Sequence, residues 1–169
     1  MMLIKITAED PEELFKAPEF PVLPAGKHLF LVANQMEITQ TNTDPPKDQI
    51  RLEARCQDDD ESKGMVVFDG FLLYKDAITD KEITSKKIND AALAQFVCAC
   101  GVLTVDQMKA GEEFDIEDLN GKFFNAESVV RLENVYPEEL DENGKPKKAP
   151  KASIKKYLVP AEEAAEATT

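Results

Sequence analysis

Between residues 50 and 57 the chain reads IRLEARCQ, with Ile50, Leu52, Ala54 and Cys56 on one face of an extended backbone and Arg51, Glu53, Arg55 and Gln57 on the other. A period of two predicts a half-buried strand. Upstream, LPAGKHLFLVANQMEIT opens on Pro24 and Gly26 and continues as an apolar run, which predicts a long first strand over Lys27–Thr39. The turn-rich QTNTDPPKDQ divides the two strands. After the polar DDDESKG, MVVFDGFLLY is apolar on both faces with Gly70 inside, so the third strand is expected to bend. In INDAALAQFVCACGV, Leu93, Phe96, Val97 and Cys100 recur at helical spacing behind an Asn89 or Asp90 N-cap, and Gly101 terminates the helix. KFFNAESVVRLENVY alternates again, Phe124, Ala126, Ser128, Val130 and Leu132 against Phe123, Asn125, Glu127, Val129 and Arg131, as a fourth strand. Ser153–Val159 closes as a fifth, and shorter helices are expected near Glu12–Lys16 and Val105–Ala110.

Three strands, a helix and two strands is the order of a mainly β fold, the five-stranded OB-like barrel with its helix between strands 3 and 4, whose face on strands 2–3 and flanking loops bind oligonucleotides and oligosaccharides. The domain is expected over residues 23–160, behind an acidic, proline-punctuated arm at 1–22 and ahead of a flexible acidic tail at 161–169. No apolar run approaches the roughly 18 residues of a membrane helix, and MMLIKITAEDPEEL lacks the features of a secretory signal. Three cysteines, with Cys98 and Cys100 too close for an ordinary bridge, suit a reducing compartment, so a cytoplasmic protein is expected.

Charge alters this picture because it is unevenly spread. The chain carries −13 overall, yet residues 145–156 hold six lysines and no acid. Residues 1–144 hold 14 Lys and Arg against 30 Asp and Glu. An acidic protein repels nucleic acid at long range, so such a ligand needs a local basic groove.

LPAGKHLFLV, GMVVFDGFLLY, LAQFVCACGV, LNGKFFNAESV and ASIKKYLVP, in that order across residues 23–160, resemble the single-stranded DNA-binding proteins of bacteriophages, a family long known only as a phage domain of unknown function. The resemblance implies an OB-fold and a role in phage replication or recombination. His28 stands where such proteins often carry an aromatic.

The candidate phosphate ligands are Lys145, Lys147, Lys148, Lys151, Lys155 and Lys156, with Arg51, Arg55, Arg131, Lys63 and Lys122. Phe68, Phe71, Tyr74, Phe123 and Tyr157 are candidates for base stacking, Phe123 and Tyr157 foremost because each adjoins a lysine. DDDE at 58–61 reads as a solvated turn, the cysteines as buried thiols, and His28 has no nucleophile motif to serve. Neither catalysis nor a metal or other cofactor is expected. The expected partners are single-stranded DNA, replication or recombination proteins met through AEEAAEATT, and a second copy, since paired weak grooves gain from effective concentration. The rival is an acidic interaction module that mimics nucleic-acid charge toward a host enzyme. It explains the acidity of residues 1–144 more directly and leaves the lysines idle.

Overall fold

The computed structural model describes residues 1–15, 21–135 and 138–160. Chain order runs β1 (Gly26–Val32), β2 (Ile38–Gln40), β3 (Asp48–Cys56), β4 (Val66–Leu73), α1 (Asp80–Ala99), α2 (Val105–Lys109), β5 (Phe123–Asn134) and β6 (Lys148–Leu158). The strands form one antiparallel sheet ordered β2-β3-β1-β5-β6, with β4 on the other edge of β3. Among the described residues no ladder joins β4 to β6, so the sheet is open there.

The alternation at 50–57 is realised in β3: Ile50, Leu52, Ala54 and Cys56 are buried while Arg51 and Arg55 face solvent. The first strand is not continuous as expected. It divides into β1 and β2, which pair with the two ends of the same β3 edge. Asn34 makes the break. Its amide donates to the Arg51 carbonyl at 2.8 Å and accepts from the Glu53 N–H at 2.8 Å, standing in for a backbone rung. Met36 then turns into the core, its N–H held by the Asn120 side chain at 2.7 Å.

The helix begins ten residues before the expected caps. Thr79 accepts from the Glu82 N–H at 3.1 Å and the Glu82 carboxylate accepts from the Thr79 N–H, a capping box. Asn89 instead ties α1 to β4, accepting from the Leu72 N–H at 2.9 Å. Gly101 ends the helix as expected, at φ 74°, with its N–H on Cys98 and the Val102 N–H on Val97. A 3-10 turn at Pro11–Phe15 occupies the place of the first short helix, and Lys16 lies outside the described residues.

Only the last turn of α1, Phe96–Ala99, is buried. Phe96 stands 5.2–5.4 Å, ring centre to ring centre, from Phe71, Phe124 and Tyr157, and this aromatic cluster joins the helix to β4, β5 and β6. β6 begins at Lys148, earlier than the expected Ser153. A bulge opposite Glu127 resets its alternation, so that Lys155 and Lys156 together face one residue and Tyr157 turns inward.

Tyr157 is 3% exposed, which overturns its assignment as a stacking platform. Its hydroxyl donates to the Asp69 carboxylate across the open seam. Burial, followed by the Asp69 charge, raises the phenol well above the ordinary tyrosine range. The unfolded chain therefore releases this proton near the usual value of about 10 while the folded chain keeps it. Stability that is complete below that pH is expected to fall as pH rises above it. Urea midpoints measured from pH 8 to 11 should decline less steeply in Tyr157→Phe than in the parent protein.

Candidate functional site

Directly opposed residues of an antiparallel ladder share a face. The β3–β4 register therefore places the pairs Arg51–Gly70, Glu53–Phe68 and Arg55–Val66 on the outer face, away from α1 and the core. Phe68 is 63% exposed because Val67 and Phe71 take the inward positions of β4. Leu31 opposes both Arg55 and Phe123, so one transverse row carries Phe123, Leu31, Arg55 and Val66. Four strands at the usual spacing span about 14 Å. Phe123 is 56% exposed on that row, in agreement with the face expected for it.

Phe68 lines two concavities. One, of about 680 Å³, holds Arg51 and Glu53 with the polar side chains Asn34, Gln40 and Gln49. The other, of about 650 Å³, lies along the open seam and holds Lys63, Val66, Pro150 and Lys151. Neither Arg51 nor Arg55 is ion-paired among the described residues. Phe71 is buried in the aromatic cluster, and Tyr74 is half-buried beneath the Lys47 ammonium, 4.9 Å from the ring centre.

The lysine block reaches this face in part: Lys151 lines the seam concavity with Phe68, and Lys156 opposes Glu127 within the sheet. β1 pairs with β5 only as far as Ser128, so the segments 129–134 and 148–153 extend beyond it as a two-stranded ribbon. Arg131 and Lys151 oppose each other on that ribbon. From Phe123 to Arg131 along β5 is about 26 Å at the usual strand rise, so Arg131 lies far from Phe123, while Lys151 opposite it reaches Phe68 and Val66 across the open seam.

Acids of the same hairpin partner half of the lysine block: Lys147 with Glu139 at 3.4 Å, Lys151 with Glu133 at 3.3 Å and Lys155 with Glu127 at 3.8 Å. Lys145, Lys148 and Lys156 have no ion pair among the described residues, and all six are exposed. Lys63 and Lys122 are exposed in the turns before β4 and β5. β6 is also an edge strand. Lysines, Pro150 and a bulge are the devices by which such edges avoid pairing with other chains, which gives the block a structural use whatever it binds.

The structure also gathers residues that have no relation in the sequence pattern. His28 Nδ1 lies 2.6 Å from Asp58 Oδ2, and His28 Nε2 lies 2.7 Å from the Pro24 carbonyl. Asp58 Oδ1 accepts from the Leu29 N–H at 2.9 Å. That bond, with His28, holds the Asp58 carboxyl below the usual carboxylate range. Cys56 is fully buried beside them, and burial raises its thiol. Asp60 accepts from the Ser62 N–H at 2.7 Å, so within DDDE Asp60 holds the turn itself while Asp58 ties it to β1. The only hint of this cluster in the sequence was Cys56 two residues before Asp58. Nothing local placed His28 beside them.

Cys100 lies in the core, where burial pushes its thiol up to about 12, as befits an inert cysteine. Residues 161–169, expected to recruit partners, lie outside the described residues. No helix among the described residues is long and apolar enough to cross a membrane. No protein-family model matches the chain, and no curated protein is similar to it in sequence.

Proposed function

We propose that the protein binds single-stranded DNA, with little sequence preference, across the outer face of β3 and β4. The observation that carries this reading is Phe68, exposed between one concavity holding Arg51 and another holding Lys63 and Lys151. Single-strand binders combine cations that follow the phosphates with rings on which bases stack, each base contributing about 1–3 kcal/mol. On this reading β1 and β2 are one bent strand, and the pairing β4-β3-β1-β5-β6 with α1 ahead of β5 is that of a five-stranded OB-like barrel left open between its third and fifth strands. Arg55 and Phe123 extend the path toward β5. The unpaired lysines Lys145, Lys148 and Lys156, with Arg131, supply a second, weaker contact. Protection of strands in the cytoplasm during phage replication or recombination, as a non-enzymatic protein acting singly or as two copies, is the role that such chemistry fits.

Fluorescence anisotropy of a labelled strand of about thirty bases tests it, since sites on such folds cover about 4–16 nucleotides. The expected result is tighter binding to the single strand than to the matching duplex, weakening with salt. Phe68→Ala should weaken binding at least about fivefold, with Tyr157→Phe unchanged as the control. Equal affinity for duplex, or no effect of Phe68→Ala, would overturn this site.

The ion pairs at Lys147, Lys151 and Lys155 favour a second reading, an acidic module for a basic protein partner, because they reduce the charge available to phosphates. Charge reversal at Lys147, Lys148, Lys155 and Lys156 should weaken DNA binding on the first reading and leave partner binding intact on the second.

A further inference from the structure

We propose that His28, Cys56 and Asp58 form a three-ligand site for a divalent transition-metal ion of the zinc class. The case begins at the imidazole. A backbone carbonyl only accepts, so the 2.7 Å contact with Pro24 puts a hydrogen on Nε2. In the neutral ring Nδ1 then presents a lone pair to the Asp58 carboxylate 2.6 Å away. Two lone pairs at that distance repel unless a cation lies between them, and the cation is either a proton or a metal ion.

The third residue favours a metal. One donor atom from each of His28, Cys56 and Asp58 lies within 4.8 Å of the other two. Nitrogen, sulfur and oxygen together suit zinc, which binds imidazole, thiolate and carboxylate at about 2.0–2.3 Å. A tetrahedral ion with such bonds sets its donors roughly 3.3–3.6 Å apart. Admitting it takes a widening of the His28–Asp58 contact by about 0.7 Å, with the Cys56 sulfur, now within 4.8 Å of both, settling to the same spacing.

The supporting contacts are those of a ligand set. A metal-binding histidine donates its other N–H to a carbonyl or carboxylate, and a metal-binding carboxylate is itself hydrogen-bonded. Here Pro24 orients His28 and the Leu29 N–H orients Asp58. The Cys56 backbone is fixed in the β1–β3 ladder opposite Phe30. The His28 side chain is 9% exposed and that of Asp58 23%, so the carboxylate side is the one from which an ion would enter. An ion held there would join the start of β1 to the end of β3 and the turn behind it, independently of whether the protein binds DNA.

The test uses the full chain, reduced and stripped with a chelator, titrated with cobalt(II) and then zinc(II). One equivalent of cobalt should produce thiolate-to-metal charge-transfer absorption, and zinc should displace it. Zinc should also raise the melting temperature, reversibly with chelator. Cys56→Ser should lose the absorption, and a Cys98→Ser/Cys100→Ser double variant should keep it. No such absorption at millimolar cobalt, or absorption that survives Cys56→Ser, overturns the proposal. If Cys56→Ser does not fold, His28→Gln decides: about tenfold weaker cobalt binding supports the site, and unchanged binding removes it.

Discussion

Replacing Arg51 and Arg55 together by glutamate is expected to weaken binding of a single strand by at least about 100-fold, since hydrogen bonds to charged groups contribute about 1.5–3 kcal/mol each. The slope of log affinity against log salt should also fall by about 1.4, at roughly 0.7 for each phosphate contact on a single strand. Both side chains are exposed on the outer face of β3 and neither is ion-paired among the described residues, so the fold has little stake in them. The melting temperature should therefore stay within a few degrees of the parent value. Anisotropy titrations at several salt concentrations make the measurement. A change under about threefold, against about tenfold per lost contact, would move the phosphate path away from β3. The ribbon would then be the remaining candidate, or the acidic-module reading would take precedence.

Phe96→Ala is expected to destabilise the domain by about 3–5 kcal/mol, the usual cost of deleting a buried aromatic side chain. That is a large share of the roughly 5–15 kcal/mol that holds a domain folded. The ring is completely buried at the meeting point of Phe71, Phe124 and Tyr157. Its loss also removes the main grip of α1, whose buried residues are confined to its last turn. The urea midpoint should drop with the slope unchanged, and the melting temperature should fall by about 6–20 °C, at roughly 2–4 °C per kcal/mol for a chain of this size. A loss below about 1 kcal/mol, far under the usual range, would mean that the helix does not pack on the sheet through this cluster.

The site was less legible than the fold. Arg51, Arg55 and Phe123 stand on the faces that alternation assigned them. Phe68 was only one candidate among several, because MVVF is apolar at every position and a period of two cannot choose an inner face there. Pairing with β3 makes that choice by setting Phe68 opposite Glu53. The lysine block was plain in the sequence, but its partners were not. Glu127, Glu133 and Glu139 come alongside only when the hairpin forms.

What the sequence by itself determined is what short-range physics controls. The alternation of residues 50–57 and 123–128 set the buried faces of β3 and β5, and Gly101 set the end of α1, because side-chain period and the left-handed backbone are local properties. Tertiary structure decided what depends on register and on distant partners. A single bulge in β6 turned Tyr157 from the lysine face into the core, since one extra residue inverts every later position of a strand. Asn34 divided an apolar run by bonding to a strand 17 and 19 residues away. His28 met Asp58 across 30 residues because ladder pairing brought the end of β3 beside β1, a relation that no local pattern encodes.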